Sequence, residues 1–408
     1  MTGGIGRASL ALSIEGYLDA LCTGFSNRHA GSPGNQAATD FFGETLRSSG
    51  FRVFTQNFRC LDWEPGEAVL RVGDRVFSAH TSPYSLPFRG SAALVQAGEM
   101  AELPGLDCQG KILLLHGELA REQLVPKNFP FHIPVNHPEL PLLLEEKTPA
   151  AIIAATGRNP ELAGASYPFP LIEDGDFTVP SVYTTDVEGA RLLECRGGEA
   201  FLSISSNRIP SKGCNVRGFT GNPGRNRLVF CAHIDAKKGT PGALDNASGV
   251  SVLLGLAELL KGFRGNRCVE LLALNGEDYY AASGQAAYMA LPRTELDRIG
   301  LAVNLDLVGY RKGRTGFSFY QCPDDLAESA RQVFLSHPGL YEGESWYQGD
   351  HMIFVSRNRP AMALVSEEMQ YLCSEITHTE HDVPELVDCE KLADIALALR
   401  ELVSVLSF

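Results

Sequence analysis

Four short runs in the second half of the chain are almost continuously apolar: residues 227–231, 268–274, 301–307 and 361–366. A strand with one face in water alternates polar and apolar residues, whereas a strand with no polar face must be covered on both sides. Helical apolar patterns lie between these runs, notably over residues 250–260 and 325–337. The alternation predicts an α/β fold, with a mostly parallel central sheet and helices on both faces. In such a sheet, ligands gather beyond the carboxyl ends of the strands. The residues able to do chemistry fall there. After the first run come His233, Asp235 and, across a Gly/Pro turn, Asp245. The second is followed by Glu277 and Asp278; the third carries Asp306 near its end, and a loop beyond the fourth supplies His378.

Taken singly, these residues mean little, because a lone Asp after a strand is ordinarily a helix cap. Repetition at strand after strand changes the balance: two histidines and several carboxylates converge on one rim. Carboxylates crowded together repel one another unless cations neutralise them. Imidazole and carboxylate ligands together suit zinc, and manganese or cobalt would also be accepted. HExxH, GxSxG, GxxxxGK[ST] and a dinucleotide GxGxxG are all absent, so two competing hydrolase chemistries and a nucleotide site are not indicated.

The first half reads differently. Residues 10–25 have helical spacing, and Gly31 to Asn35 form a turn that offers Asn35 as the N-cap of a second helix burying Ala38, Phe41, Phe42 and Leu46. A strand over 52–59 and a hairpin of 69–72 with 75–78 follow. From residue 82, short β-like runs alternate with Pro/Gly turns, and prolines break up 123–141 into an irregular loop. Residues 82–207 are therefore expected to be an inserted β-rich domain, dividing the main domain into 1–81 and 208–408. No useful His–carboxylate spacing occurs within the insertion, so His116, His132 and His137 are read as loop or surface histidines. An amphipathic helix over 389–406 closes the chain.

With 408 residues, two or three domains are expected. The net charge of −14 repels a phosphate backbone and argues against nucleic acid as partner. Neither a secretory leader nor an apolar stretch long enough to span a bilayer is visible. Ten cysteines are scattered singly, without a CxxC pair. The expectation is a protein of the reducing cytoplasm, off the membrane, with its thiols unpaired.

The site segments also resemble metallopeptidase family twenty-eight, which includes aminopeptidase Y, glutamate carboxypeptidase II and glutaminyl cyclase. The matching pieces are CAHID, PGALDNASGV, NGED, NLDLVG, GDHMIF and HTEHD, in the family's order, with GSPGNQAATDFF similar to its opening helix. Less closely, DCQGKILLL, AAIIAA and VPSVYTTDVEGARLL resemble the protease-associated domain that relatives often carry as an insertion. The resemblance implies two zinc ions bridged by Asp245, with His233 and Asp306 completing one and Asp278 and His378 the other. Glu277 would be the general base, and Asp235 would stand behind His233 and fix its tautomer. Asp350, His351 and Asp382 would support the ligands, and a cis peptide is common just after the bridging Asp. Tyr347, beside Trp346, is the candidate to steady the oxyanion.

Two departures stand out. The family usually has Glu-Glu where this chain has Glu277-Asp278, and Gly-Ser where it has Ser283-Gly284. An Asp is shorter by one C–C bond of roughly 1.5 Å, so Asp278 needs a backbone shift to reach a metal. The expected function is a metal-dependent exopeptidase acting on peptides, most simply an aminopeptidase, with Glu367 and Glu368 as candidates to hold the substrate amine. A carboxypeptidase would need a basic clamp, for which Arg311, Lys312 and Arg314 are candidates. The same residues also allow a single-zinc acyltransferase of the cyclase kind, or a non-catalytic binding module that keeps the fold.

Overall fold

The computed structural model describes residues 5–25, 27–131, 136–159 and 166–406; His132 lies outside them. The chain divides into two compact units. One comprises Met1–Arg59, Lys212–Leu372 and Ile376–Phe408, the other Cys60–Ser211 with Cys373–Glu375. The chain crosses between them within the long strands Arg52–Glu64 and Asn207–Gly221.

The first unit is α/β. Its sheet runs in the order Arg52–Glu64, Asn207–Gly221, Cys268–Leu274, Arg227–His233, Ile299–Leu305, Ala361–Ser366, Thr315–Tyr320, Leu340–Glu342. The four apolar runs of the sequence are neighbours at its centre and pair in parallel. Every residue of Arg227–His233 and of Cys268–Leu274 is buried, which is why neither run alternates. The third strand starts earlier than expected and ends at Leu305, so Asp306 is the first residue beyond the sheet rather than part of the strand.

Helix Ser248–Leu259 packs against both Arg7–Asp19 and Cys389–Val405. Its Leu253, Leu254 and Leu256 are fully buried, each stabilising the fold by about 1.5–3 kcal/mol. The helix enters tightly against the strands: a Cβ on Gly249 would sit 2.7 Å from the Leu305 carbonyl oxygen. That closeness brings the turn holding Asp245 up to the end of the Asp306 strand.

The cap of the second helix differs from the one expected. Helix Pro33–Ser48 is capped by Ser32, whose side chain accepts a hydrogen bond from the Asn35 backbone N–H at 3.0 Å. Proline lacks an N–H and suits the first helical position, so the cap must precede Pro33. Asn35 thereby lies inside the helix, fully buried.

The second unit has its own eight-stranded sheet, with buried apolar clusters that include Leu113, Leu115 and Ile152 in one and Ile112, Leu114 and Ile153 in the other. Its boundary lies at Cys60, not at residue 82. The hairpin of Ala68–Val72 and Arg75–Phe77, assigned from sequence to the main domain, pairs with Glu199–Ile204 and so belongs to the insertion. Hairpin strands are defined by local spacing, whereas their outer partner here lies more than a hundred residues away. The described residues of the loop expected over 123–141 are irregular as far as Glu139, and its last two positions begin helix Leu140–Glu146. No described helix is long and apolar enough to cross a membrane, and the ten cysteines form no disulfide.

Candidate metal centre

At the carboxyl end of the central strands, the side chains of His233, Asp245, Asp278, Asp306 and His378 meet. His233, the last residue of its strand, places Nε2 3.1 Å from Asp245 Oδ1 and 3.6 Å from Asp306 Oδ1. His378 places Nε2 3.1 Å from Asp245 Oδ2 and 3.0 Å from Asp278 Oδ1. The two oxygens of Asp245 thus face two separate His–carboxylate groups, each able to offer three ligand atoms within 4.8 Å of one another. Asp278 reaches its group in spite of the shorter side chain.

The loops carrying these residues are tied by backbone bonds. Asp382 accepts from the Leu244 N–H at 2.7 Å and the Asp245 N–H at 3.0 Å, and its carbonyl accepts from the Ala243 N–H. The Asp245-Asn246 peptide is cis, as the resemblance implies. Asn246 donates to the Leu305 carbonyl and accepts from the Gly249 N–H. His378 has φ +63, a left-handed conformation that a non-glycine residue adopts only where surrounding structure holds it.

Asp235 acts differently from the expectation. Its carboxylate accepts from the N–H groups of Gly276, Glu277 and Asp278 at 2.6, 3.3 and 3.0 Å. His233 Nδ1 instead meets the Asp235 backbone carbonyl at 3.1 Å, with the nearer carboxylate oxygen at 3.8 Å. A carbonyl oxygen only accepts, so Nδ1 carries the proton and Nε2 is left as the free donor atom for a cation. The carboxylate, already turned towards three N–H groups, holds the Gly276–Asp278 turn instead. That grip supplies the backbone placement Asp278 needs.

Ser283-Gly284 also has a local cause. A Cβ on Gly284 would sit 1.9 Å from the Asn275 carbonyl oxygen, so the start of helix Ser283–Met289 presses directly on the residue before Gly276.

Burial opposes charge throughout the cluster. For Asp245 the contacts with His233 and His378 outweigh burial and hold its pKa well below the usual range. For Asp306 burial prevails and pushes the pKa up. Glu277 is raised well above its usual value, by burial first and then by repulsion from Asp278, Asp306 and Asp350. Burial pulls His378 down, but the surrounding carboxylates more than compensate and bring it to about 10. Four carboxylates therefore share two imidazoles. The chemistry of this donor set fits a pair of divalent cations, which would take the place of the histidine protons, and the otherwise unpartnered buried atoms His233 Nε2 and Asp278 Oδ2 are suitable donors.

Asp350 and His351 lie buried beside the first group. A Cβ on the preceding Gly349 would be 3.4 Å from Asp306 Oδ2. Gln285 donates to Asp350 Oδ1 at 3.1 Å, while burial lifts the Asp350 pKa to about 7. Burial lowers His351 to about 4, and its Nε2 meets the Trp346 carbonyl at 2.7 Å. Tyr347 does not join the ligand cluster. It is 68% exposed and sets its ring edge-on to Tyr320 at 5.8 Å.

Of the candidates for gripping substrate ends, Glu367, Arg314 and Arg311 are engaged elsewhere. Glu367 accepts from the Arg314 backbone N–H and side chain, and the Arg314 guanidinium stacks on Tyr341. Arg311 donates to the Glu385 carbonyl. The loop histidines His116 and His137 lie in the second unit and belong to neither ligand group. One neighbour was missed: Lys237 Nζ donates to the Asp278 carbonyl at 2.9 Å and lies 4.0 Å from Asp278 Oδ1. Its position just two residues after Asp235 was the available signal.

Residues 215–403 match peptidase family M28. The chain is 25% identical over 311 residues to the probable lipoprotein aminopeptidase LpqL of Mycobacterium tuberculosis, covering 74% of this chain and 59% of that one. Aminopeptidase YwaD of Bacillus subtilis is 35% identical over 140 residues, covering 34% of this chain and 31% of that one. This chain thus spans less than two thirds of the length of either relative. Two solved structures share the fold. The aminopeptidase from Aneurinibacillus sp. strain AM-1 has a TM-score of 0.75 at 20% identity, over 96% of this chain and 93% of that one. For the zinc aminopeptidase BSAP of Bacillus subtilis the TM-score is 0.72 at 20% identity, over 96% and 94%. The segment that matches this family, residues 215–403, contains all five of the candidate ligands His233, Asp245, Asp278, Asp306 and His378.

Proposed function

We propose that this chain is a metal-dependent aminopeptidase that hydrolyses the N-terminal bond of a peptide and holds two zinc ions. The observation that carries the proposal is Asp245, with one oxygen turned to the His233–Asp306 group and the other to the Asp278–His378 group. In this reading His233, Asp245 and Asp306 hold one ion, and Asp245, Asp278 and His378 hold the other. When bound, such a pair supplies a nucleophilic water at neutral pH and polarises the scissile carbonyl. Glu277 stands next to Asp278, with its backbone held by Asp235. Its carboxylate takes the proton of the attacking water and delivers it to the departing amine nitrogen. To Tyr347, on the loop that leads to Asp350, we assign the hydrogen bond to the carbonyl oxygen as negative charge gathers there. Asp382 and Asp235 keep the ligand loops in place.

The amine end of the substrate separates this reaction from that of a carboxypeptidase. The Arg314–Glu367 pair engages a candidate for either end of the substrate, so the amine-end reading rests on the named relatives, which are aminopeptidases. The resemblance of the inserted unit to a protease-associated domain rests on its own segments. A cytoplasmic setting rests on cysteines that form no disulfide, although one relative is described as a lipoprotein.

Protein purified without chelator should contain close to two zinc ions per chain. It should cleave aminoacyl substrates with a free α-amine and fail on the same substrates acetylated at that amine. Cleavage of both forms alike would refute the aminopeptidase reading, and one ion per chain would refute the pair.

A further inference from the structure

Arg28 is among the largest fully buried side chains of the protein. Its guanidinium donates to backbone carbonyls: Leu21 at 2.5 Å, Pro241 at 2.8 Å, Gly242 at 2.9 Å and Ile234 at 3.3 Å. Three of these four lie on the loop between His233 and Asp245. A planar fork of five donors can join several carbonyls at fixed angles, which an ammonium cannot. The fit is close: Gly242 has φ +59, and a Cβ there would sit 2.9 Å from Arg28 Nη2. Gly242 is three residues from Asp245, and the Ala247 N–H donates back to the Gly242 carbonyl. The turn bearing Asp245 is therefore anchored on the guanidinium on one side and on Asp382 on the other.

A second tie runs from the same segment to the neighbouring strand. The Asn35 side chain donates to the Arg28 carbonyl at 2.9 Å and exchanges a reciprocal pair of amide bonds with Asn275, both at 2.9 Å. Asn275 follows strand Cys268–Leu274 and immediately precedes Gly276, Glu277 and Asp278. One stretch of chain near the amino terminus is thus bonded to two of the three strand ends that deliver carboxylates, those of Asp245 and of Glu277 and Asp278, although it supplies no ligand itself.

We propose that Arg28 and Asn35 are positioning residues of the metal centre. Arg28 sets the turn that presents Asp245, and Asn35 sets the strand end that presents Glu277 and Asp278. The proposal rests on the two-metal reading above. A carboxylate that bridges two ions has little tolerance for displacement, and an error of about 1 Å at a reacting site can cost on the order of a hundredfold.

The test compares Arg28→Met, Arg28→Lys and Asn35→Ala with Arg217→Met, which removes another buried guanidinium of the same unit that pairs with Glu270 and Glu295. Zinc affinity is measured by chelator competition on folded protein, beside the melting temperature of the metal-free form. Arg28→Met should weaken zinc binding at both positions by about 10–100-fold, the range found when residues supporting metal ligands are lost. Arg28→Lys should fall between it and the wild type, and Asn35→Ala should weaken one of the two positions. Arg217→Met should lower the melting temperature and leave zinc affinity unchanged. If Arg28→Met does not fold, Arg28→Lys and Asn35→Ala decide the question. Zinc binding in the variants equal to wild type, or reduced no more than in Arg217→Met, would overturn the proposal alone. A wild-type protein that binds no zinc would overturn the metal reading and the proposal with it.

Discussion

Strand Cys268–Leu274 and its flanks carry buried charge at two places, and the two are balanced differently. Within the strand, Glu270 is fully buried and meets Arg217 at 2.6 Å and Arg227 at 3.3 Å. Glu295 meets the same two guanidinium groups at 2.6 and 3.1 Å. Two cations there face two carboxylates. Just beyond the carboxyl end, Glu277 and Asp278 join Asp245 and Asp306 around two imidazoles. The first cluster balances in charge, although Arg227 Nε and Glu270 Oε2, 3.3 Å apart, make no hydrogen bond. The second is short of positive charge, and an anionic excess in a buried place is costly unless cations enter. Buried charge alone therefore does not mark a site; its imbalance does.

That contrast can be broken by substitution, and the effects should descend in a fixed order. Asp245→Ala removes the residue shared by both groups, so both ions and all measurable turnover should be lost together; elemental analysis that still finds one ion would refute the bridge. Glu277→Gln should keep both ions and the fold while turnover falls by about 10²–10⁴-fold, the usual contribution of a general base. Unchanged turnover would remove Glu277 from the mechanism. Glu270→Gln strikes the balanced cluster instead and leaves Arg217 and Arg227 short of a partner. Breaking a buried ion pair destabilises by about 3–5 kcal/mol, which denaturant unfolding would register, yet metal content and turnover of the folded protein should match the wild type. Loss of metal in that variant would show that the two clusters are coupled and that the comparison is too simple.

Some parts of the site were open to a reader of the sequence. His233 ends a buried strand and Asp245, Asp278, Asp306 and His378 lie beyond such strands, and the parallel arrangement brings successive strand ends to one rim. Their grouping into two sets came from the family resemblance; in the structure Asp245 Oδ1 lies 3.1 Å from His233 Nε2 and Oδ2 lies 3.1 Å from His378 Nε2. Other parts were hidden. Asp235 was expected to face His233 with its carboxylate, but its carbonyl does so while the carboxylate caps the Gly276–Asp278 turn. Glu367 and Arg314, assigned to opposite ends of a substrate, bind one another. The insertion starts at Cys60 because a hairpin found by its local turn pairs outward with Glu199–Ile204.

The division has a physical origin. Apolar runs, helical periodicity and residue type at strand ends are local, and a buried strand must lack a polar face wherever it sits, so the sequence by itself determined the α/β class, the central strands and which residues could bind metal. Only the tertiary structure decided which loops meet. Hydrogen bonds from Arg28 to residues 234–242, and from Asn35 to Asn275, join positions more than two hundred residues apart. Nothing in local spacing reports such a contact, because a guanidinium or an amide finds its acceptors by where the packed strands place them.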